Sequence, residues 1–327
     1  MTVLRYREAV RTAMIEEMER DERIYLVGEE VGQYQGAYKV TEGMLERFGP
    51  KRVIDSPITE SGFTGISIGA AMVGLRPIVE FMTWNFSAVA FDQILNNAAK
   101  IRQMSGGQFN IPIVFRAPNG SARQVGSQHS HAMEHFYTHI PGLKVLTPAF
   151  PADAKGLLKT AIRDDDPVLF MESETLYNVK GEVPDDPDFL VPMGKANVVR
   201  EGKDASIISY GRITHVALDA AAQLEKEGID VEVLDLRSLR PLDEESLVRT
   251  VSKTHRAVLA YEGWPYGGVG GEVVDRIQRL AFDELDAPIL RVTFRDVPMP
   301  YNAKLEQYVI PQPDRIAAAV KEVLYRK

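Results

Sequence analysis

Residues 53–75, VIDSPITESGFTGISIGAAMVGL, run from a short strand into a helix of small residues and set one carboxylate, Glu60, at the mouth of that helix. Val53-Ile54-Asp55 reads as the strand and Ser56-Pro57 as its stop. Ile66, Ile68, Ala71, Met72 and Leu75 continue on a mainly apolar helix. A carboxylate in that place faces desolvation, which favours its neutral form, opposed by the helix N-terminus, which favours its charge. Thr59 or Ser61 as an N-cap with an acid in the first turn is the plain alternative reading of the same residues. Gly65 and Gly69, four apart, predict a face for close helix approach.

Working outward, short β-rich runs alternate with helical ones. Strands are expected at 24–28, 77–81, 112–116, 143–147 and 168–172, and helices at 4–20, 60–74, 87–104 and 152–163. Such alternation implies βα units around a parallel sheet. The stretch VKGEVPDDPDFLVPMGK breaks the pattern with Pro, Asp and Gly, so a linker is expected there. Strands at 205–210, 230–236, 257–262 and 289–293 and helices at 214–227 and 313–324 then resume the alternation. The expected division is a first domain over 1–185, a linker over 186–203 and a second α/β domain over 204–327.

The 327 residues suffice for two cores, and an apolar share of 45% with 26% charged residues is that of a globular chain. A net charge of −8, with no run of Lys and Arg, argues against nucleic acid as a partner. With no cysteine, disulfide and thiolate chemistry are excluded. No apolar window is long enough to span a bilayer and the N-terminus lacks a signal-peptide core, so the chain is expected in a bacterial cytoplasm or an organelle matrix.

Two further segments follow strands at the carboxyl end of the expected sheet, where ligands bind. FMTWNFS (81–87) is so aromatic that it must be core or stack on something flat. PNGSARQVGSQHSH (118–131) is too polar for core. His131, His135 and His139 fall at helical spacing, and His131-Ala-Met-Glu134-His135 matches H-x-x-E-H, a zinc-hydrolase pattern in which Glu134 would activate water. The run Gly267-Gly268-Val269-Gly270-Gly271 opens a helix without the spacing of a phosphate loop; close packing against another chain is expected of it.

Taken together, GEEVGQYQGAYKVTEGMLERFGPKRVIDSPITESGFTG, RPIVEFMTWNFSAVAFDQI, KIRQMSGGQ, IPIVFRAPNG, QHSH, PGLKVLTP, DAKGLLKTAIRDDDPV and DVPMPY, in this order, resemble the beta subunit of the thiamine-diphosphate-dependent 2-oxo acid dehydrogenases, nearly end to end. FMTWNFS and SQHSH are more similar to the pyruvate type than to the branched-chain type; acetoin-cleaving relatives are a further rival. The resemblance implies a pyrimidine-binding parallel-sheet domain followed by a transketolase C-terminal-like α/β domain. It implies an α₂β₂ heterotetramer in which the alpha subunit holds most of the diphosphate and its Mg²⁺, in keeping with the missing Gly-Asp-Gly motif. It also implies action on pyruvate with acetyl transfer to the lipoyl domain of a dihydrolipoyl acyltransferase core.

Carried over residue by residue, Glu60 is similar to the carboxyl that hydrogen-bonds the cofactor's aminopyrimidine, so that the cofactor's own amino group can take the proton of the thiazolium carbon. Phe86 matches the aromatic packed on the pyrimidine, with Met82 and Ile58 beside it. His129 matches an active-site histidine, a proton donor or stabiliser in acyl transfer; a structural loop histidine is the alternative. TAIRDDDP resembles part of a potassium site of mostly main-chain oxygens from Ile113, Ala161, Ile162, Asp164 and Asp166, against a solvated acidic turn.

Overall fold

The computed structural model describes residues 1–326. Contacts divide the chain into two units, one of Met1–Asn119 with Phe136–Met193 and the other of Gly120–His135 with Gly194–Lys327. In the first, six strands run parallel in the order Lys144–Leu146, Val168–Glu172, Val114–Pro118, Arg76–Glu80, Ile24–Gly28 and Val53–Asp55. The three central strands starting at Val168, Val114 and Arg76 are buried at every position, as a parallel sheet covered on both faces requires. Helices Tyr6–Arg20 and Pro151–Arg163 pack on one another, and their polar stripes interlock: Lys155 meets Glu16 at 2.8 Å, Lys159 also reaches Glu16, and Arg163 meets Glu17 at 2.8 Å.

In the second unit the strand order is Leu290–Val292, Ala257–Ala260, Ala205–Ser209, Val231–Asp235 and Asn197–Arg200. The first four are parallel and Asn197–Arg200 closes the edge antiparallel. Helices Ile213–Glu225 and Pro313–Val323 cover this sheet with Ala217, Ala220, Ala221, Ile316 and Val320, all buried.

Local expectations fail where long-range pairing outweighs periodicity. The helix expected from Leu4 begins at Tyr6, because Thr2–Arg5 pairs as an antiparallel strand with Lys180–Val183. The helix expected over 87–104 is broken into a 3₁₀ turn Trp84–Ala88, a π-helical stretch Gln93–Ala98 and an α-turn Ile101–Met104. The π stretch lies against helix Glu60–Met72, where a Cβ on Gly65 would stand 3.2 Å from Gln93 Oε1, so Gly65 serves close approach within this chain. A Cβ at Gly69 would meet nothing within 4 Å. Asn197–Arg200 is a sheet strand inside the stretch expected to be linker.

Candidate active site

Glu60 comes to its place through the order of the first sheet. Ile24–Gly28 has Val53–Asp55 on one side and Arg76–Glu80 on the other, with Gly28 opposite both Asp55 and Glu80. The chain steps from Ile24–Gly28 to Val53–Asp55 on one side and then crosses back to Arg76–Glu80 on the other, a topological switch point, and the crevice beyond its strand ends is where open α/β sheets bind ligands. The strands meet tightly there: a Cβ on Gly28 would stand 2.5 Å from the Glu80 carbonyl oxygen, so the position admits only glycine. Asp55 accepts the Gly32 and Gln33 amides at 2.6 and 2.9 Å and so fixes the loop that follows Gly28.

Two carboxyl groups converge at this switch point. Glu60 is the first residue of helix Glu60–Met72, and both it and Glu29 are 7% exposed. Thr59 occupies the N-cap position without a side-chain capping bond. Burial, then the charge of Glu60 and a hydrogen bond with it, push Glu29 up to about 6. Glu29 therefore keeps its proton to a higher pH than an ordinary carboxyl does. Glu29 Oε1 is buried without a partner, a free acceptor at the centre of the candidate site.

The aromatic loop is only partly core. Phe81 and Trp84 are 1% and 0% exposed, and Trp84 Nε1 donates to the Phe170 carbonyl at 3.4 Å. Met82 and Phe86 remain half-buried, and Ile58 is 83% exposed. Phe63, one turn beyond Glu60, sits 5.8 Å from Phe81 and ties the Glu60 helix to this loop.

Beneath the carboxyl ends lies a cluster of charges with no counterpart in the sequence reading. Arg116, 1% exposed, donates to both oxygens of Glu172 at 2.6 and 2.7 Å and pairs with Glu80 from the adjacent strand. Tyr177 donates its hydroxyl to Glu172 at 2.9 Å. One cation thus serves two carboxyls, and burial, eased by Arg116 and aggravated by Glu172, pushes Glu80 up to about 7. Neither Glu29 nor this cluster was legible beforehand; the signal available was a charged residue within each of three otherwise mostly apolar strands.

His129 closes a 3₁₀ turn, Ser127–His129, in the second unit and is half-buried. Burial, then His129 itself, hold the His131 imidazole below its ordinary value. His131 faces a cavity of ≈ 410 Å³ with Trp264 and Asp296. The zinc reading of His131, Glu134 and His135 does not hold. Only Glu134–Tyr137 is helical, so the imidazoles do not share a helix face. His135 has both nitrogens engaged, Nδ1 accepting the Val269 amide at 3.0 Å and Nε2 donating to the Glu262 carbonyl at 2.9 Å. Glu134 is 1% exposed and accepts the Tyr210 hydroxyl. Among the described residues no group of three or more His, Cys, Asp or Glu could hold a metal ion. Within the glycine run 267–271, a Cβ at Gly270 would collide with the Tyr261 ring, whereas one at Gly267 or Gly271 would meet nothing within 4 Å.

The oxygens expected to bind potassium lie in the first unit. The Ile113 carbonyl accepts the Val168 amide at 3.0 Å, Ala161 the Asp164 amide at 3.2 Å, and Ile162 and Asp164 accept the Arg76 guanidinium at 3.0 and 2.5 Å. Lys144 bridges the carboxylates of Asp164 and Asp166 at 2.7 and 3.1 Å. Each carbonyl has two lone pairs, so these bonds leave capacity for a hard ion, in a turn that fixed cations already order.

Comparison with other proteins defines the class. Residues 3–180 match the transketolase pyrimidine-binding domain and residues 194–316 the transketolase C-terminal domain. A solved structure described as a split-gene transketolase, an inactive β4 tetramer, superposes with a TM-score of 0.81 at 25% identity, covering 99% of both chains. The pyruvate dehydrogenase E1 component subunit beta of Rhizobium meliloti is 54% identical over all of this chain and 71% of its own length. The Rickettsia felis protein of that name is 51% identical over 98% of both chains, and the mitochondrial one of Caenorhabditis elegans is 52% identical over 97% of this chain and 92% of its own. The chain therefore belongs to the family of pyruvate dehydrogenase E1 component beta subunits. Among the described residues, no helix is long and apolar enough to cross a membrane.

Proposed function

We propose that this chain is the beta component of a thiamine-diphosphate-dependent pyruvate dehydrogenase. It acts in an α₂β₂ heterotetramer that decarboxylates pyruvate and passes the acetyl group to the lipoyl domain of a dihydrolipoyl acyltransferase core. The observation that carries this is the Glu29–Glu60 carboxyl pair at the switch point of the first sheet, in a chain related end to end to beta subunits of that name. The bound cofactor supplies the acidic carbon and the electron sink. Glu60 hydrogen-bonds the pyrimidine and moves a proton at its ring nitrogen, and Glu29 beside it keeps that proton within the buried pair. Ile58, Met82 and Phe86 wall the ring, orient it and exclude water. His129 stabilises or protonates during acetyl transfer. Mg²⁺ is held mainly by the alpha subunit, and the setting is a bacterial cytoplasm or an organelle matrix.

The test is co-purification with an alpha chain, followed by thiamine-diphosphate-dependent turnover of pyruvate, with branched-chain 2-oxo acids and acetoin as competitors. Preference for either competitor, or activity of the beta chain alone, would overturn the assignment. Phe86→Ala is expected to weaken retention of the cofactor about fivefold, the equivalent of ~1 kcal/mol of ring packing, with little change in turnover once the cofactor saturates; titration of the apo-complex by calorimetry checks it. We also assign a potassium ion to the main-chain oxygens of Ile113, Ala161 and Ile162 with Asp164 and Asp166. Exchange of potassium for sodium should lower the melting temperature by a few degrees, since an ion bound only to the folded state stabilises it. Equal melting in both salts removes the ion.

A further inference from the structure

We propose that a polar cluster around Glu262 is a latch that sets the position of the loop carrying His129, with Glu262, Arg212, Ser121, Tyr210 and Glu134 as positioning residues for acetyl transfer. The catalytic half of this statement rests on the reading of His129 above. In the second unit the strand Ala205–Ser209 has Val231–Asp235 on one side and Ala257–Ala260 on the other, which makes its carboxyl end a switch point. The crevice at such a point ordinarily receives a ligand. Here the chain's own residues 120–135 occupy it, and they belong to this unit although the flanking segments belong to the other.

The attachment is polar and closed on itself. Glu262, just past the strand Ala257–Ala260, accepts on one oxygen the Ser121 hydroxyl at 2.8 Å, the Ser121 amide at 3.3 Å and Arg212 Nε at 2.7 Å. Arg212 Nη2 returns to the same hydroxyl at 2.8 Å. Gly120 lies in the left-handed region at φ +76, and a Cβ there would strike the Glu262 carboxylate, so the close approach is specific to glycine. The Gly120 amide donates to the His131 carbonyl at 3.1 Å and closes the base of the loop. Further along, the Gln124 amide donates to Glu306 at 2.9 Å. On the far side Tyr210 donates to Glu134 at 3.0 Å, and His135 spans the Glu262 carbonyl and the Val269 amide. His129 therefore lies between fixed points on both sides, Gln124 before it and Glu134 after it. Glu134, Glu262 and Glu306 are all at most 7% exposed, so losing a partner weakens the hydrogen bonding of a buried charge, and movement of the loop toward water compensates it.

The latch is tested in the assembled enzyme with Glu262→Gln, Arg212→Met and Tyr210→Phe. Three readouts are compared: oxidation of pyruvate with ferricyanide as electron acceptor, which needs no lipoyl group; acetyl transfer to a free lipoyl domain; and amide hydrogen exchange over residues 120–131. The expected result is exchange at least about tenfold faster and acetyl transfer at least about tenfold slower, with the ferricyanide rate within about twofold of wild type and most of the loss restored by Arg212→Lys. Unchanged exchange in the variants overturns the latch, and so does an equal fall of both rates, which marks a merely structural role. His129→Ala, assayed alongside, tells the two ideas apart. If it slows both reactions equally, the reading of His129 falls, and the latch is then decided by the exchange of residues 120–131 alone.

Discussion

Glu60→Gln is expected to lower turnover of pyruvate by at least ~100-fold at saturating cofactor while assembly and melting temperature stay unchanged. Glutamine keeps the volume of the side chain and still donates a hydrogen bond, but its amide cannot give up and regain a proton. The loss therefore isolates proton placement from binding. The position tolerates the change because Glu60 shares its buried place with a second carboxyl, Glu29, and removing one of two adjoining acids relieves repulsion. With that neighbour neutral, Glu29 loses part of what holds it up at about 6 and moves back toward the ordinary carboxyl range. Steady-state kinetics of the reconstituted complex, with circular-dichroism melts of the same samples, decide the matter. Turnover within about tenfold of wild type would sink the assigned role, whatever the melts show.

Arg116→Met should produce the largest loss of stability in the molecule. It leaves Glu80 and Glu172, both buried, without their shared cation, a change that costs about 3–5 kcal/mol and lowers the melting temperature by roughly 10 °C. The pH dependence carries a definite sign. Glu80 is raised from 4.5 to about 7 in the folded chain, so the native state binds its proton more tightly than the unfolded state does. The stabilisation from that proton is complete below pH 4.5 and is lost as pH rises toward 7. Without Arg116, its largest compensating neighbour, Glu80 rises further and the decline continues past neutrality. Glu80→Gln should flatten this part of the profile. Thermal melts between about pH 5 and 8 measure both effects, and an Arg116→Met protein as stable at pH 7.5 as wild type would show that the cluster carries no such energy.

Much of the architecture could be read in the chain. The expected strands at 24–28, 77–81, 112–116 and 168–172 correspond to Ile24–Gly28, Arg76–Glu80, Val114–Pro118 and Val168–Glu172, because strands buried on both faces must be continuous apolar runs. Helices Glu60–Met72 and Pro151–Arg163 were equally legible from their apolar spacing. The broken helix over 84–104 and the strand Thr2–Arg5 were not, since each answers to a distant partner, the helix of Glu60 in one case and Lys180–Val183 in the other. In the candidate site, the position of Glu60 after a strand and at the start of a small-residue helix was legible. Glu29, in the run Gly28-Glu29-Glu30, carried no comparable mark.

By itself, the amino-acid sequence determined the βα alternation and the interruption between two α/β units, because these depend on periodicity and on residues a few positions apart. Tertiary structure alone decided that Glu29 faces Glu60, that one guanidinium serves carboxyls from two other strands, and that residues 120–135 fold with the second unit. Each of those depends on strand order and register, which hydrogen bonds between distant segments set, and a shift of one residue would turn every such side chain to the opposite face.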